Sequence, residues 1–216
     1  MKYKCLVLDH DDTIVNSTPT VNFPAFKKCL AKLRPDVNLE LEEYICYNFD
    51  PGLNRYYKEI LNFSDDEIQY QFNNWIGYVM EHTPSTFNGI REILWKFKEN
   101  RRTHLCCITF HEQKYIRDYK ENNLPMPELI YGWECEPEQR KPSVWPIKQI
   151  MEKLSLEPKD LVMIDDLKPG KTMADNAGID FIGAGWSHSI PKISSYMEKE
   201  CKYYCKNVDE LEKYIF

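Results

Sequence analysis

The chain has 216 residues, 43% of them hydrophobic and 29% charged, with a formal net charge of -6. That length accommodates one large domain, or one domain with a modest insert, and the composition is that of a globular protein. The acidic balance argues against a general binder of nucleic acid or of an anionic membrane surface, so any pull on an anionic substrate has to be local.

No apolar stretch reaches the length of a membrane span, and Met1 to Cys5 leads straight into a strand rather than a signal peptide. The eight cysteines include Cys5, Cys106 and Cys107 in strand-like runs and Cys29 on a helical face, which are places for small buried hydrophobes. With no Cys-x-x-Cys spacing, reduced thiols and a cytoplasmic location are expected.

In chain order, the apolar run Tyr3–Leu8 reads as a central parallel strand covered on both faces, and it ends in Asp9-His10-Asp11-Asp12-Thr13. Open α/β sheets gather their chemistry at the C-terminal ends of their strands. Two residues apart on an extended backbone, Asp9 and Asp11 can point the same way. Close carboxylates repel, and a divalent cation, a shared proton or exposure to water would offset the cost. Magnesium suits such hard oxygen ligands best. His10 reads as a core histidine.

From about Asn16 to Thr86 the signals are helical, with apolar positions at three- and four-residue steps over Phe23–Leu33. A capping box, Ser64 to Glu67, precedes a stripe of Ile68, Phe72, Trp75, Ile76 and Val79. This is an all-helical insert, and above the carboxyl edge of a sheet such an insert acts as a lid. Arg55, in a loop-like stretch of turn formers and aromatics, would bind a second anionic group of the substrate or pair with an acidic surface residue.

Further strands are expected at His104–Thr109, Leu129–Tyr131, Leu161–Ile164 and Asp180–Ala184, with a last edge strand at Tyr203–Cys205 and a closing helix over Val208–Ile215. Ile90, Ile93, Leu94 and Phe97 mark one intervening helix, and Val144, Ile147, Ile150, Met151 and Leu154 another. Strands alternating with helices imply a parallel sheet with right-handed crossovers.

Four segments in register carry a resemblance. They are Asp9-His10-Asp11-Asp12-Thr13 after the first strand, Thr109 at the end of the second, Lys141-Pro142, and Asp165-Asp166 closing Leu161–Ile164. The chain resembles the haloacid dehalogenase-like hydrolases, in the branch of phosphoglycolate phosphatase and β-phosphoglucomutase, where a helical cap follows the first strand. The resemblance implies an α/β fold with a Rossmann-like, three-layer parallel sheet core and a small all-α cap. Residues 1–15 and 87–216 would form the discontinuous core, and residues 16–86 the cap domain.

It further implies a Mg2+-dependent phosphatase of a small phosphorylated metabolite, with Asp9 as nucleophile and Asp11 as general acid and base. Thr109 would hold a phosphate oxygen and Lys141 would offset negative charge, with Arg140 the alternative cation. Asp9, the Asp11 carbonyl and Asp166 would ligate the metal, and Asp165 would join them or orient Lys141. Phe110 and His111, next to Thr109, would face the substrate. A sugar-phosphate mutase and a catalytically silent binding protein on the same fold are the alternatives, and Thr13 leans toward hydrolysis. With such an insert a monomer is adequate, and neither nucleic acid nor membrane is expected as a partner.

Two positions depart from the family pattern. Asp12 stands where many members have Gly, and Gly170 where many carry a second acid of the fourth motif. Asp12 is expected to point away from the phosphate.

Overall fold

The computed structural model describes residues 2–100, 102–109, 112–132 and 134–216, with the side chains at 112 and 113 left aside. Phe110 and His111 therefore lie outside the described residues. The chain divides into two compact units, residues 1–16 with 85–216 and residues 17–84.

The first unit is an α/β sheet structure. Its strands are β1 (Cys5–Leu8), β2 (His104–Ile108), β3 (Leu129–Tyr131), β4 (Leu161–Asp165), β5 (Asp180–Ala184) and β6 (Tyr203–Cys205). They form one six-stranded, all-parallel sheet in the order β3-β2-β1-β4-β5-β6. β1 is central because its four residues are apolar and wholly buried, and burying a Leu or Val side chain contributes about 1.5–3 kcal/mol. The expected Rossmann-like α/β class is the one observed.

The second unit contains α1 (Phe23–Leu33), α2 (Leu41–Phe49), the single turn α3 (Leu53–Arg55) and α4 (Asp65–Glu81). Its core is aromatic: Phe26 stacks on Tyr44 and Tyr57, with ring centroids 5.2 and 5.3 Å away. Ser64 caps α4 as its sequence requires, accepting from the Glu67 N–H while the Glu67 side chain accepts from the Ser64 N–H. Along the expected α4 stripe Val79 is buried, while Ile68, Phe72, Trp75 and Ile76 are half-buried.

The sheet is covered by α5 (Ile90–Lys98), α6 (Glu112–Glu121), α7 (Trp145–Leu154), α8 (Lys168–Ala177), α9 (Pro191–Glu200) and α10 (Asp209–Ile215). Strand alternation sends Leu6, Leu8, Leu105, Cys107, Val162 and Ile164 to one face, where they meet Ile90, Leu94 and Phe97 of α5, Tyr115 and Tyr119 of α6, and Leu211 of α10. The other face takes Val7, Cys106 and Met163, with α8 packed on β4 and β5 and α9 on β6. Gly178 ends α8 in the left-handed region at φ 68°, as a helix C-cap glycine does. Among the described residues no helix is long and apolar enough to cross a membrane.

Candidate active site

Parallel register sets which residues share an edge. Leu8 aligns with Cys107 on one side and Ile164 on the other, and the Asp9 N–H donates to the Ile164 carbonyl at 2.9 Å. The chain leaves β1, β2 and β4 side by side at their C-terminal ends, which is how Asp9, Thr109, Asp165 and Asp166 come to one edge. Thr109 follows β2 directly, half-exposed, its N–H donating to the Tyr131 carbonyl at 2.8 Å.

Lys141 reaches this edge from the loop before α7. Its ammonium lies 2.6 Å from Asp9 Oδ1 and 2.6 Å from Asp165 Oδ2, bridging the two strand ends. The other Asp165 oxygen accepts from the Leu167 N–H at 2.8 Å, so both its oxygens are engaged. Arg140, the rival cation, instead donates from Nε to the Cys135 carbonyl at 2.8 Å.

Asp9, Asp165 and Asp166 are all buried, and one oxygen from each lies within 4.8 Å of the others. Charge is poorly compensated there. Burial pushes the Asp9 carboxyl up to about 7 against the pull of Lys141, with Asp165 and Asp11 adding to the rise. Burial, then Asp165, Asp9 and Asp12, raise Asp166 well above the carboxylate range. Burial works against the charge on Lys141 too, but Asp165 and Asp9 outweigh it and hold the ammonium above its ordinary range. Three buried carboxylates around one ammonium are a donor set that fits a hard divalent cation.

The Asp11 side chain is not part of this group. After Asp9 the backbone leaves the strand, and Asp12 adopts φ 59°. The Asp11 carboxylate instead meets Lys114 of α6, with Nζ 2.5 Å from Oδ1. Lys114 is a residue that sequence reasoning missed. The available signal was the four-residue spacing of Lys114 with Asp118 and of Tyr115 with Tyr119, which sets two adjacent rows on one helix face.

Both departures from the family pattern have local explanations. The positive φ at Asp12 is a conformation that Gly adopts freely and that Asp tolerates better than most residues. Asp12 is buried, and its charge contributes to raising Asp166. At Gly170 a Cβ would overlap the Asp165 carboxylate. An acid cannot stand there while Asp165 keeps its place.

Other expected residues have plainer settings. Arg55 is exposed and pairs with Glu59 at 2.9 and 2.8 Å, the surface alternative of its two readings. His10 is the core histidine expected. Its Nε2 lies 2.9 Å from Asp118, and burial lowers its pKa against that opposing hydrogen bond, so the neutral ring donates to the carboxylate. The Trp186 Nε1 donates to the Thr13 carbonyl at 3.1 Å and ties down the turn after β1.

Comparison with known proteins follows the same lines. A sequence model described as haloacid dehalogenase-like hydrolase matches residues 6–184. A phosphoglycolate phosphatase of Vibrio vulnificus (strain CMCP6) is 24% identical over 207 residues, covering 89% of each chain. A haloacid dehalogenase-like hydrolase from Streptococcus pneumoniae superposes with a TM-score of 0.79 at 18% identity, covering 100% of this chain and 99% of its own. CbbY from Rhodobacter sphaeroides, solved in complex with phosphate, gives a TM-score of 0.68 at 16% identity, with coverages of 97% and 96%.

Proposed function

The chain belongs to the haloacid dehalogenase-like hydrolases, and from that membership we propose that it is a magnesium-dependent phosphatase of a small phosphorylated metabolite, working through an aspartyl-phosphate on Asp9. The observation that carries this reading is the Lys141 bridge between Asp9 and Asp165 at 2.6 Å each, beside Asp166 in a buried carboxylate group.

A phosphomonoester is an anion, and a carboxylate nucleophile is repelled by it until charge at the site is offset. Asp9 and Asp166, with the Asp11 carbonyl, would hold magnesium, which when bound supplies positive charge against both nucleophile and phosphate. Lys141 supplies a second, fixed positive charge and aims the Asp9 carboxylate. Asp9 attacks phosphorus, and the bond from phosphorus to the leaving oxygen breaks. Asp11 gives that oxygen a proton, then takes one from the water that splits the aspartyl-phosphate. The Thr109 hydroxyl holds a phosphoryl oxygen through the reaction. With both its oxygens engaged, Asp165 acts chiefly by fixing Lys141.

Residues 17–84 serve as the cap domain in this reading and set substrate choice, and the enzyme is taken as a cytoplasmic monomer. The test is phosphate release from a panel of phosphomonoesters, with and without magnesium, by the wild-type, Asp9→Asn and Asp11→Asn proteins. Phosphoglycolate belongs in the panel because the Vibrio relative bears its name. Release that needs magnesium and falls on the order of 10^4-fold or more in Asp9→Asn supports the phosphatase. Isomerisation of a sugar phosphate without net release would make it a mutase, and inertness toward every ester would favour a silent binding protein.

A further inference from the structure

Lys114 is 1% exposed, and a fully buried lysine is rare without a partner. Among the described residues, the carboxylates of Asp11 and Asp118 lie 2.5 and 3.9 Å from its ammonium. Asp118 is already served. Arg117 donates to its Oδ1 from Nε at 3.0 Å and from Nη2 at 2.6 Å, and His10 lies 2.9 Å from its Oδ2. The lysine is thus surplus to Asp118 and matched to Asp11.

Its platform is rigid. Tyr115 and Tyr119, next to Lys114 and Asp118 along the same face of α6, are fully buried and stacked at 4.3 Å. The His10 ring packs on them, with centroids at 4.4 and 5.8 Å. Since His10 directly precedes Asp11, the helix that carries Lys114 is clamped to the backbone that carries Asp11. A long side chain on such a base holds its partner within a few tenths of an ångström, the tolerance that proton transfer demands.

We propose that Lys114 is a positioning residue for Asp11: from α6 it fixes the carboxylate that transfers protons to and from the reacting oxygens. The inference rests on the phosphatase reading above, and concerns which residue makes Asp11 effective. It assigns Lys114 no contact with the substrate.

The leaving group separates this role from a merely structural one. A departing phenol needs its proton more than the more acidic 4-nitrophenol does, and phenyl phosphate and 4-nitrophenyl phosphate are close in shape. In Lys114→Met, kcat/KM for phenyl phosphate is expected to fall about 100-fold, within the span of general acid catalysis, and for 4-nitrophenyl phosphate no more than about 3-fold. Asp11→Asn should show the same skew, and adding Lys114→Met to it should cost little more, since residues acting as a unit are not additive. Lys114→Arg keeps the charge that burial demands and should fold even if Lys114→Met does not, with a smaller skew of the same sign.

Equal losses on the two esters, in whichever Lys114 variant folds, would overturn the inference, as would full additivity with Asp11→Asn. Absence of phosphate release by the wild-type protein would overturn the phosphatase reading itself and this inference with it. Wild-type activity combined with an unskewed loss would overturn the Lys114 inference alone.

Discussion

Asp9 and Asp11 stand two residues apart, yet each is held by a different lysine, half-buried Lys141 for Asp9 and buried Lys114 for Asp11. Asp9 is met from the β4 side by Lys141, which also bonds Asp165. Asp11 is met from the α6 side by Lys114, whose helix also carries Asp118. On the first side the charges do not balance among themselves, because Asp166 joins Asp9 and Asp165 around one ammonium and is raised far from its usual range by burial and by those neighbours. On the second, Arg117 and His10 complete the bonding of Asp118. Under the proposed reading, the site is left electrostatically incomplete where a cation and an anion would bind, and closed where a side chain would only need aiming.

The largest test of this contrast is Lys141→Met. Removing the ammonium leaves buried carboxylates facing one another, and breaking a buried pair costs about 3–5 kcal/mol. Urea unfolding without divalent cations should show a loss of that order, and phosphate release should collapse. Restoration of most of the lost stability by magnesium would support a cation site among the same carboxylates, and indifference to magnesium would speak against one.

The same incompleteness predicts a pH dependence. The folded chain binds the Asp9 proton more tightly than the unfolded chain does, with the carboxyl raised from 3.8 to about 7 by burial. This contribution to stability is greatest below about pH 4 and is lost as pH rises to about 7, by an amount on the order of a few kcal/mol. Magnesium should accordingly raise the melting temperature more at pH 8 than at pH 5, where it must displace a proton. Equal shifts at both pH values would refute this.

A smaller effect is expected from Gly170→Ala, which pushes a methyl into the Asp165 carboxylate and through it disturbs Lys141. Overpacking of this kind costs about 1–3 kcal/mol, and activity should drop alongside stability. An active, fully stable variant would show that Asp165 is not held where the geometry places it. Smallest of all is Arg55→Ala. Its exposed pair with Glu59 is screened by water, so the denaturation midpoint should not move measurably, and KM for the best substrate should stay unchanged.

Much of the Asp9 side could be read along the chain. An unbroken apolar run before Asp9, a second before Asp165 and Asp166, and a lysine ahead of a helix are local patterns, and β1 and β4 follow from hydrophobic burial alone. The Asp11 side carried only the faint signal of the spaced pairs in α6, because the partner of Asp11 lies 103 residues away on a helix of polar sequence. The packing of Tyr115 and Tyr119 into the core, against His10 among others, turns that helix face inward. The roles of Gly170 and Asp12 were equally hidden. One is a steric relation between a helix and a strand end, and the other a backbone angle, and neither has a composition signature.

By itself, then, the sequence determined the alternation of strands and helices, the helical insert, and the residues brought to the carboxyl edge. Burial of apolar runs and the period of each element act over short stretches of chain, so those features can be read in place. The tertiary structure decided which lysine each of the two aspartates after β1 meets. A turn in the left-handed region at Asp12 and a lysine delivered by a distant helix are consequences of how the elements pack, and packing is where charges far apart in sequence become neighbours.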